Sequence, residues 1–518
     1  MARVTLVYPD YTTTRLYSKP QRLRVDRGGW YAEGLAALSA TLKQAGHTVS
    51  LLHVTQPPTR EDFVARLAAT HPDVIGFSVR TSAFPSVSEW TAWAKDAVHA
   101  PVVWGGYHAS LAPEQCMGVA GVDATLQGDG DLVLPLLVDA WITGRTPQGL
   151  PGVWWRDAQE LRHEPVGPLV ANLDELPIPD FGLFDRSRLI ATRTHTAIAM
   201  LSRGCPYGCT YCTNQAFRSL YPNAKDYRRS RTPEGAIAYI QALRTWYPEV
   251  RELRFLDNVF GISTDWLTRF GDMYKREVGL PFACDHRAEL LTPDTIRLLA
   301  DMGCTQVYLG IESGDEELRR RALGRTMSNE LLVQVIERLH AAGIRVFAYN
   351  MVGLPGETRA TALLTPKLNA QARVDDACVS VFSPYPSTVL YDVSIKDGSV
   401  AEPIDYSRLT FLDQPGFRSD EVAYMALSFN MLRRWYRRHG ADSRMGRWMD
   451  RFVLSPHLPM RAIVAVTEHW EGDREMIKSF LRNRAPGIFL FVKRLFRGHV
   501  TPAPHAAAHG HQQGPPHT

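Results

Sequence analysis

Three cysteines within eight residues, Cys205, Cys209 and Cys212, constrain this chain more than any other stretch. They stand in Arg203-Gly204-Cys205-Pro206-Tyr207-Gly208-Cys209-Thr210-Tyr211-Cys212, a C-x-x-x-C-x-x-C spacing with an aromatic before the last cysteine. Such spacing lets three thiolates converge from one tight loop onto one inorganic cluster, for which cysteine is the usual ligand. Gly204, Pro206 and Gly208 supply the turns that this wrapping needs. With no fourth cysteine nearby, a 4Fe–4S cluster would keep one iron open to an outside ligand. A structural zinc site is the alternative, but it wants four ligands, usually from two paired spacings. Cys284, Cys304 and Cys378 could complete it, yet each stands singly in or beside an apolar, strand-like run, as inert core cysteines do.

The loop follows a short apolar run, and apolar runs alternating with helical patterns recur through most of the chain. In residues 1–145 the candidate strands are Val4–Tyr8, Val49–His53, Val74–Val79, Val102–Trp104 and Ala124–Leu126. Leu35, Leu38 and Leu42 mark a helix face between the first two, with Gly46 as its cap. This reads as a doubly wound, Rossmann-like parallel sheet, whose ligands bind at the carboxyl ends of the strands. Those ends carry Ser78 with Thr81 and Ser82, then Gly105-Gly106-Tyr107-His108, then Gly128-Asp129-Gly130-Asp131. Small residues there let backbone approach a large flat ligand. Residues 146–190 are proline-rich and read as a linker, with one hairpin around Val153–Arg162.

From 191 to 405 a second α/β series is expected, with strands at Thr196–Leu201, Leu253–Asp257, Pro281–Asp285, Gln306–Gly310, Arg345–Met351 and Ala377–Ser383. Helical patterns such as Thr264–Val278 and Asn329–Ala342 separate them. Residues 406–500 read as a helical C-terminal domain, Val422–His439 being its strongest pattern, and 501–518 as a disordered tail. Thr12–Gly29 is a long basic loop at the ligand end of the first strand, either functional or simply solvated. Ile488–Arg497 is a short basic amphipathic stretch that packs on its own domain or touches a lipid-like surface.

Composition limits the class. At 518 residues the chain should hold two to four domains, and 45% hydrophobic with 22% charged residues is ordinary for soluble globular protein. A net charge of +4 over this length does not suggest a nucleic-acid protein. Seven cysteines, three of them in one site, argue against a disulfide framework and for a reducing cytoplasm. The first apolar run is too short for a signal peptide, and no stretch reaches the roughly 18 uninterrupted apolar residues of a membrane span. A soluble, cytoplasmic protein is expected.

The cysteine loop resembles the signature of the radical S-adenosylmethionine (SAM) superfamily. That resemblance implies that SAM chelates the open iron and is cleaved by one electron, giving a 5′-deoxyadenosyl radical that abstracts hydrogen from a substrate. It also implies an open, partial (β/α)6 barrel and an external electron donor such as flavodoxin or ferredoxin. Tyr211 would lie against adenine. Asp257 and Asn258, in Phe255-Leu256-Asp257-Asn258-Val259-Phe260, resemble the methionine-contacting strand end, and Arg287 follows the third strand. Glu312 and Ser313, in Leu309-Gly310-Ile311-Glu312-Ser313-Gly314, would meet the SAM amino group or ribose. Gly353 and Pro355, in Met351-Val352-Gly353-Leu354-Pro355-Gly356-Glu357-Thr358, would lie near adenine. For Asp257 and Glu312 a structural cap or ion pair is the plainer alternative.

Residues 1–145 resemble the cobalamin-binding domain that precedes the radical SAM domain in one large subfamily, the class B methyltransferase-like enzymes. The match runs through Gly76-Phe77-Ser78, Val102–Glu114 and Gly128-Asp129-Gly130, which implies cobalamin contacts from Ser78, Thr81, Gly105, Gly106, His108, Gly128, Asp129 and Gly130. The D-x-H-x-x-G motif that supplies a histidine to cobalt is missing, and Asp10-Tyr11-Thr12-Thr13-Thr14 stands in its place. A relic domain that binds nothing is the alternative. The resemblance as a whole implies methylation of an unactivated carbon or a phosphinate phosphorus, most readily a carbon of a small molecule. One SAM would methylate the reduced cobalamin, and a second would supply the radical. Oxidative ring closure or ring contraction without methyl transfer, and a non-catalytic iron–sulfur sensor, are the other readings.

Overall fold

The computed structural model describes residues 1–10, 15–16, 19–20, 28–158, 160–223, 225–400, 402–406, 408, 410–461 and 463–464. Most of the Thr12–Gly29 loop, the 488–497 stretch and the 501–518 tail fall outside them.

The first sheet uses β1 (Arg3–Pro9), β2 (Thr48–Val54), β3 (Val74–Ser78), β4 (Val102–Gly105), β5 (Ala124–Leu126), β6 (Val153–Asp157) and β7 (Glu160–His163). Its spatial order is β2-β1-β3-β4-β5-β6-β7. The first five strands are parallel, and β6 and β7 add antiparallel. Strand order turns outward from β1 in both directions, so the crevice above β1 and β3 is the switch point where such sheets take ligands. Near-continuous apolar strands such as Val4, Leu6 and Val7 are buried on both faces, as parallel sheets require. The hairpin expected in the linker is therefore the edge of this sheet, because Val153 and Trp155 pack beneath it.

The second sheet is β8 (Thr196–Ala199), β9 (Glu252–Phe255), β10 (Phe282–His286), β11 (Cys304–Glu312), β12 (Arg345–Val352) and β13 (Asp376–Val381). All six are parallel and stand in sequence order. Alternation divides them cleanly. Leu253, Phe255, Val307, Leu309, Val346 and Ala348 are buried against the outer helices. Arg254, Asp285, Tyr308, Phe347 and Tyr349 face the concave side, where they are only partly covered. Helices Ser419–His439 and Arg444–Val453 pack over the β13 side through Val422, Leu432, Tyr436 and Met449.

Buried polar ties join the two sheets. Glu33, opening the Glu33–Gln44 helix, accepts hydrogen bonds from Tyr31 (2.9 Å) and from Tyr239 (2.8 Å) of the Pro233–Trp246 helix. Arg203, just ahead of the cysteines, forks onto Asp131 at 2.6 and 3.1 Å and reaches Asp129 at 3.4 Å. Arg229 donates to the same Asp129 oxygen, Oδ2, at 2.9 Å.

Candidate active site

The carboxyl ends of β8 to β12 form one rim, where residues as far apart in sequence as Tyr211 and Arg325, 114 positions, come together. Gly204, at φ +78°, lets the chain turn into the cysteine loop; a Cβ there would lie 2.2 Å from the carbonyl oxygen of Tyr227. The three cysteines are free thiols, Cys209 buried and the others half-buried. Burial pushes the Cys205 and Cys212 thiols above the ordinary cysteine range, and the charges of neighbouring loop cysteines add to it. Among the described residues, no three His, Cys, Asp or Glu side chains gather tightly enough for a single metal ion. Thiols spread around one loop, within electrostatic reach of one another, suit a cube of iron and sulfide better than one zinc ion. Of the cysteines that could complete a zinc site, Cys284 and Cys304 are buried in the barrel core, and Cys378 is half-buried on β13 in register with Tyr349.

Two donors support the sulfurs. Arg287 lies flat on Tyr207, 3.7 Å from the ring centroid, and donates to Cys209 Sγ at 3.3 Å and to Glu289 at 2.6 Å. Asn214 directs its amide to Cys212 Sγ at 3.7 Å and meets Asn258 at 3.0 Å. Such outer donors fix ligand orientation and ease the charge on a cluster.

Glu312 sits in the left-handed region at φ +65°, where the β11–β12 register shifts. Its carboxylate accepts from Tyr211 at 3.0 Å and Arg325 at 2.8 Å, and Arg325 also holds the Gly310 carbonyl at 2.9 Å. A Cβ on Gly310 would meet Glu312 Oε1 at 2.4 Å, which is why glycine stands there. The cysteine loop is thus tied to the end of β11 through Tyr211.

Other expected contacts turn inward. Asp257 is 2% exposed and spends its carboxylate on the Leu201 amide (3.2 Å) and the Ser202 hydroxyl, pinning the entry to the loop. Burial raises its pKa to about 6. Its position is that of a brace, not of a methionine contact. Ser313 is fully buried and accepts from the Asp315 amide at 3.2 Å. Gly353, at φ +78°, and buried Pro355 shape a turn whose Gly353 and Leu354 amides donate to Glu357 at 2.6 and 3.1 Å.

At the first sheet, Gly106 (φ +93°) brings the β4 end against β3, and His108 N–H donates to the Val79 carbonyl at 2.9 Å. His108 itself is 1% exposed, packed on Phe84 at 4.7 Å with Nδ1 3.3 Å from the Thr81 hydroxyl, and burial lowers its pKa to about 4. Thr81 is buried with it. Both shape the wall from inside, so the expected direct contacts from these two are corrected. Ser78 and Gly105 are half-buried and Gly106 is exposed, and a Cβ on Gly105 would meet nothing within 4 Å, whereas one on Gly128 would meet the Tyr221 hydroxyl at 2.7 Å and one on Gly130 would meet Leu38 at 3.2 Å. That free space over bare backbone fits a broad flat ligand. Asp129 is taken by Arg203 and Arg229. Asp10 also is taken, by the Trp30 amide and by buried His53 at 2.8 Å.

The two open ends meet. Tyr107, beside Gly105 and Gly106, packs on Phe217 of the Thr213–Ser219 helix that follows Cys212, with ring centroids 5.3 Å apart. Arg325, Arg203, Arg229 and Asp131 carry no signal of their own in the sequence. Arg203 does stand inside the cysteine stretch, and Asp131 closes the Gly128-Asp129-Gly130-Asp131 strand end.

This architecture sets the three-cysteine loop of the second sheet against the open carboxyl end of the first sheet. The Radical SAM superfamily family model matches residues 200–365, and the B12 binding domain family model matches residues 23–138. An uncharacterised methyltransferase of Pyrococcus horikoshii is 27% identical over 367 residues, covering 70% of this chain and 78% of its own length. The anaerobic magnesium-protoporphyrin IX monomethyl ester cyclase of Cereibacter sphaeroides is 24% identical, covering 79% and 66%. The solved radical SAM methyltransferase TsrM of Kitasatospora setae, with cobalamin and a 4Fe–4S cluster bound, shares the fold at TM-score 0.61 and 17% identity, over 77% of this chain and 76% of that one. The chain carries a radical SAM domain together with a B12-binding domain, and the cofactors of that pair are a 4Fe–4S cluster, SAM and cobalamin.

Proposed function

We propose that the chain is a C-methyltransferase acting on an unactivated carbon of a small molecule, with Cys205, Cys209 and Cys212 as the cluster ligands. The observation that supports this reading is the Tyr107–Phe217 contact, which brings the Gly105-Gly106 end of the first sheet beside the helix that follows Cys212. When bound, the cluster supplies the electron that cleaves SAM, and cobalamin carries the methyl group. The chain's own work is positional. Arg287 and Asn214 hold the sulfurs, Asp257 fixes the entry to the loop, and the Tyr211–Glu312–Arg325 set fixes its far side. Tyr308, Phe347 and Tyr349, with centroids 4.9 to 5.8 Å apart, form an aromatic wall on the concave face that excludes water from a reactive substrate. The ligand-side glycines of the first sheet give cobalamin its bed.

No helix among the described residues is long and apolar enough to cross a membrane. We place the enzyme in the cytoplasm, reduced by a flavodoxin or ferredoxin and free of nucleic acid. Likeness to the cyclase supports ring closure as a second reading. Product analysis separates them. Methyl transfer yields S-adenosylhomocysteine and 5′-deoxyadenosine in near-equal amounts, and a methyl-deuterated SAM passes its label intact into the product. Ring closure yields 5′-deoxyadenosine with little S-adenosylhomocysteine and no label in the product.

A further inference from the structure

Ser202–Arg203 and Arg229–Ser230 pair as a short antiparallel ribbon, Ser202 opposite Ser230 and Arg203 opposite Arg229. Side chains alternate across a strand. One ribbon face therefore carries Arg203 and Arg229, whose guanidiniums both go to the Asp129–Asp131 loop. The opposite face carries Ser202, bonded to Asp257, and Arg228 follows the same alternation from one residue before the ribbon. Arg228 accordingly lies within electrostatic reach of Asp257 and Cys205.

Other arginines around the cysteine loop have partners. Arg203 and Arg229 have the aspartates, Arg218 the Pro206 carbonyl, Arg287 has Glu289, and Arg325 has Glu312. The half-buried guanidinium of Arg228 has no ion pair and no hydrogen bond among the described residues. Asp257 is near but forms no ion pair with it, being held by Leu201 and Ser202. An arginine stays charged at any working pH, so a half-buried, unpaired one carries a desolvation cost that the attraction of Asp257 and Cys205 offsets only in part. Burial accordingly lowers its pKa from the usual arginine value. A carboxylate or phosphate matches the guanidinium fork and removes that cost.

We infer that Arg228 is an oxyanion-binding residue of this centre, receiving either the carboxylate of SAM or an anionic group of the substrate. This rests on the reading that SAM and substrate meet beside Cys205. The test uses holoenzyme with cluster and cobalamin loaded, as wild type, Arg228→Gln and Arg228→Lys. SAM affinity is read from its perturbation of the reduced cluster's paramagnetic spectrum. If the SAM carboxylate is the partner, Arg228→Gln weakens SAM binding by about tenfold or more. Arg228→Lys loses less, and the Arg-to-Gln difference vanishes with the methyl ester of SAM. If the substrate supplies the oxyanion, SAM binds the variants equally. Inorganic phosphate added over saturating SAM then protects Arg228 from phenylglyoxal, read by peptide mass spectrometry. Unchanged SAM affinity with no phosphate protection overturns the inference, as does a variant that changes only the cluster's reduction potential. A wild type that binds no SAM at all instead overturns the reading beneath it.

Discussion

Replacing Arg203 with glutamine removes the cation that ties the cysteine loop to the first sheet. The wild-type side chain forks onto Asp131 at 2.6 and 3.1 Å, with side-chain exposures of 21% and 7%. Its second contact, to Asp129 at 3.4 Å, adds little, because Asp129 is 36% exposed and keeps Arg229. The loss is therefore dominated by a buried Asp131 left without its cation, which costs about 3–5 kcal/mol. Taking the lower end, local opening becomes roughly a hundredfold more frequent, since 1.4 kcal/mol is a factor of ten. Hydrogen–deuterium exchange reads it directly, in peptides spanning 127–131 and 203–212. Arg269→Gln is the control: its partner is Glu234, both side chains are more than half exposed, and solvent screens the pair. Adding Asp131→Asn to Arg203→Gln should cost less than the sum of the two single changes, because the double variant leaves no charge stranded. Exchange in Arg203→Gln no faster than in the control would refute the argument.

Gly204→Ala should abolish iron loading, since its Cβ collides with the Tyr227 carbonyl at positive φ, whereas Gly208→Ala, whose Cβ meets only Arg218 Nη2 at 3.4 Å, should load normally. Iron analysis after anaerobic reconstitution checks both, and equal loading would remove the steric account. Cys209→Ala should lose the cluster while Cys284→Ala, buried in the barrel core, keeps it; iron retention in Cys209→Ala contradicts the ligand assignment. Burial raises the Glu357 carboxyl to about 8, above its unfolded value, so the folded chain keeps a proton that the unfolded chain loses. Its stabilising contribution is full in acid and declines as pH rises toward 8, by up to about 1.4 kcal/mol per pH unit. Glu357→Gln, still able to accept from Gly353 and Leu354, should flatten that slope in urea unfolding between about pH 5 and about pH 8; an unchanged slope would place the titration elsewhere.

The strands were legible because period and length sufficed for them. Runs such as Val4–Tyr8 and Gln306–Gly310 can be little else, and β1 and β11 enclose them. The cysteine loop was legible because its ligands are close in sequence. What the sequence concealed depends on partners far along the chain: Arg203 meets Asp131 across 72 positions, and Tyr211 meets Glu312 across 101. His108 and Asp257 sit at strand ends where a ligand contact is expected, yet packing from Phe84 and from Ser202 turns both inward. The left-handed turn at Glu312 follows from a register shift between two strands, which neither strand's own residues announce.

The central claim is that both cofactors open onto one space between the sheets, as the Tyr107–Phe217 contact implies. Electron paramagnetic resonance of holoenzyme holding the reduced cluster together with cob(II)alamin tests it most directly. The account requires spin–spin interaction: split or broadened signals and faster relaxation than in samples with either centre alone. A spectrum that is the plain sum of two isolated centres would contradict it.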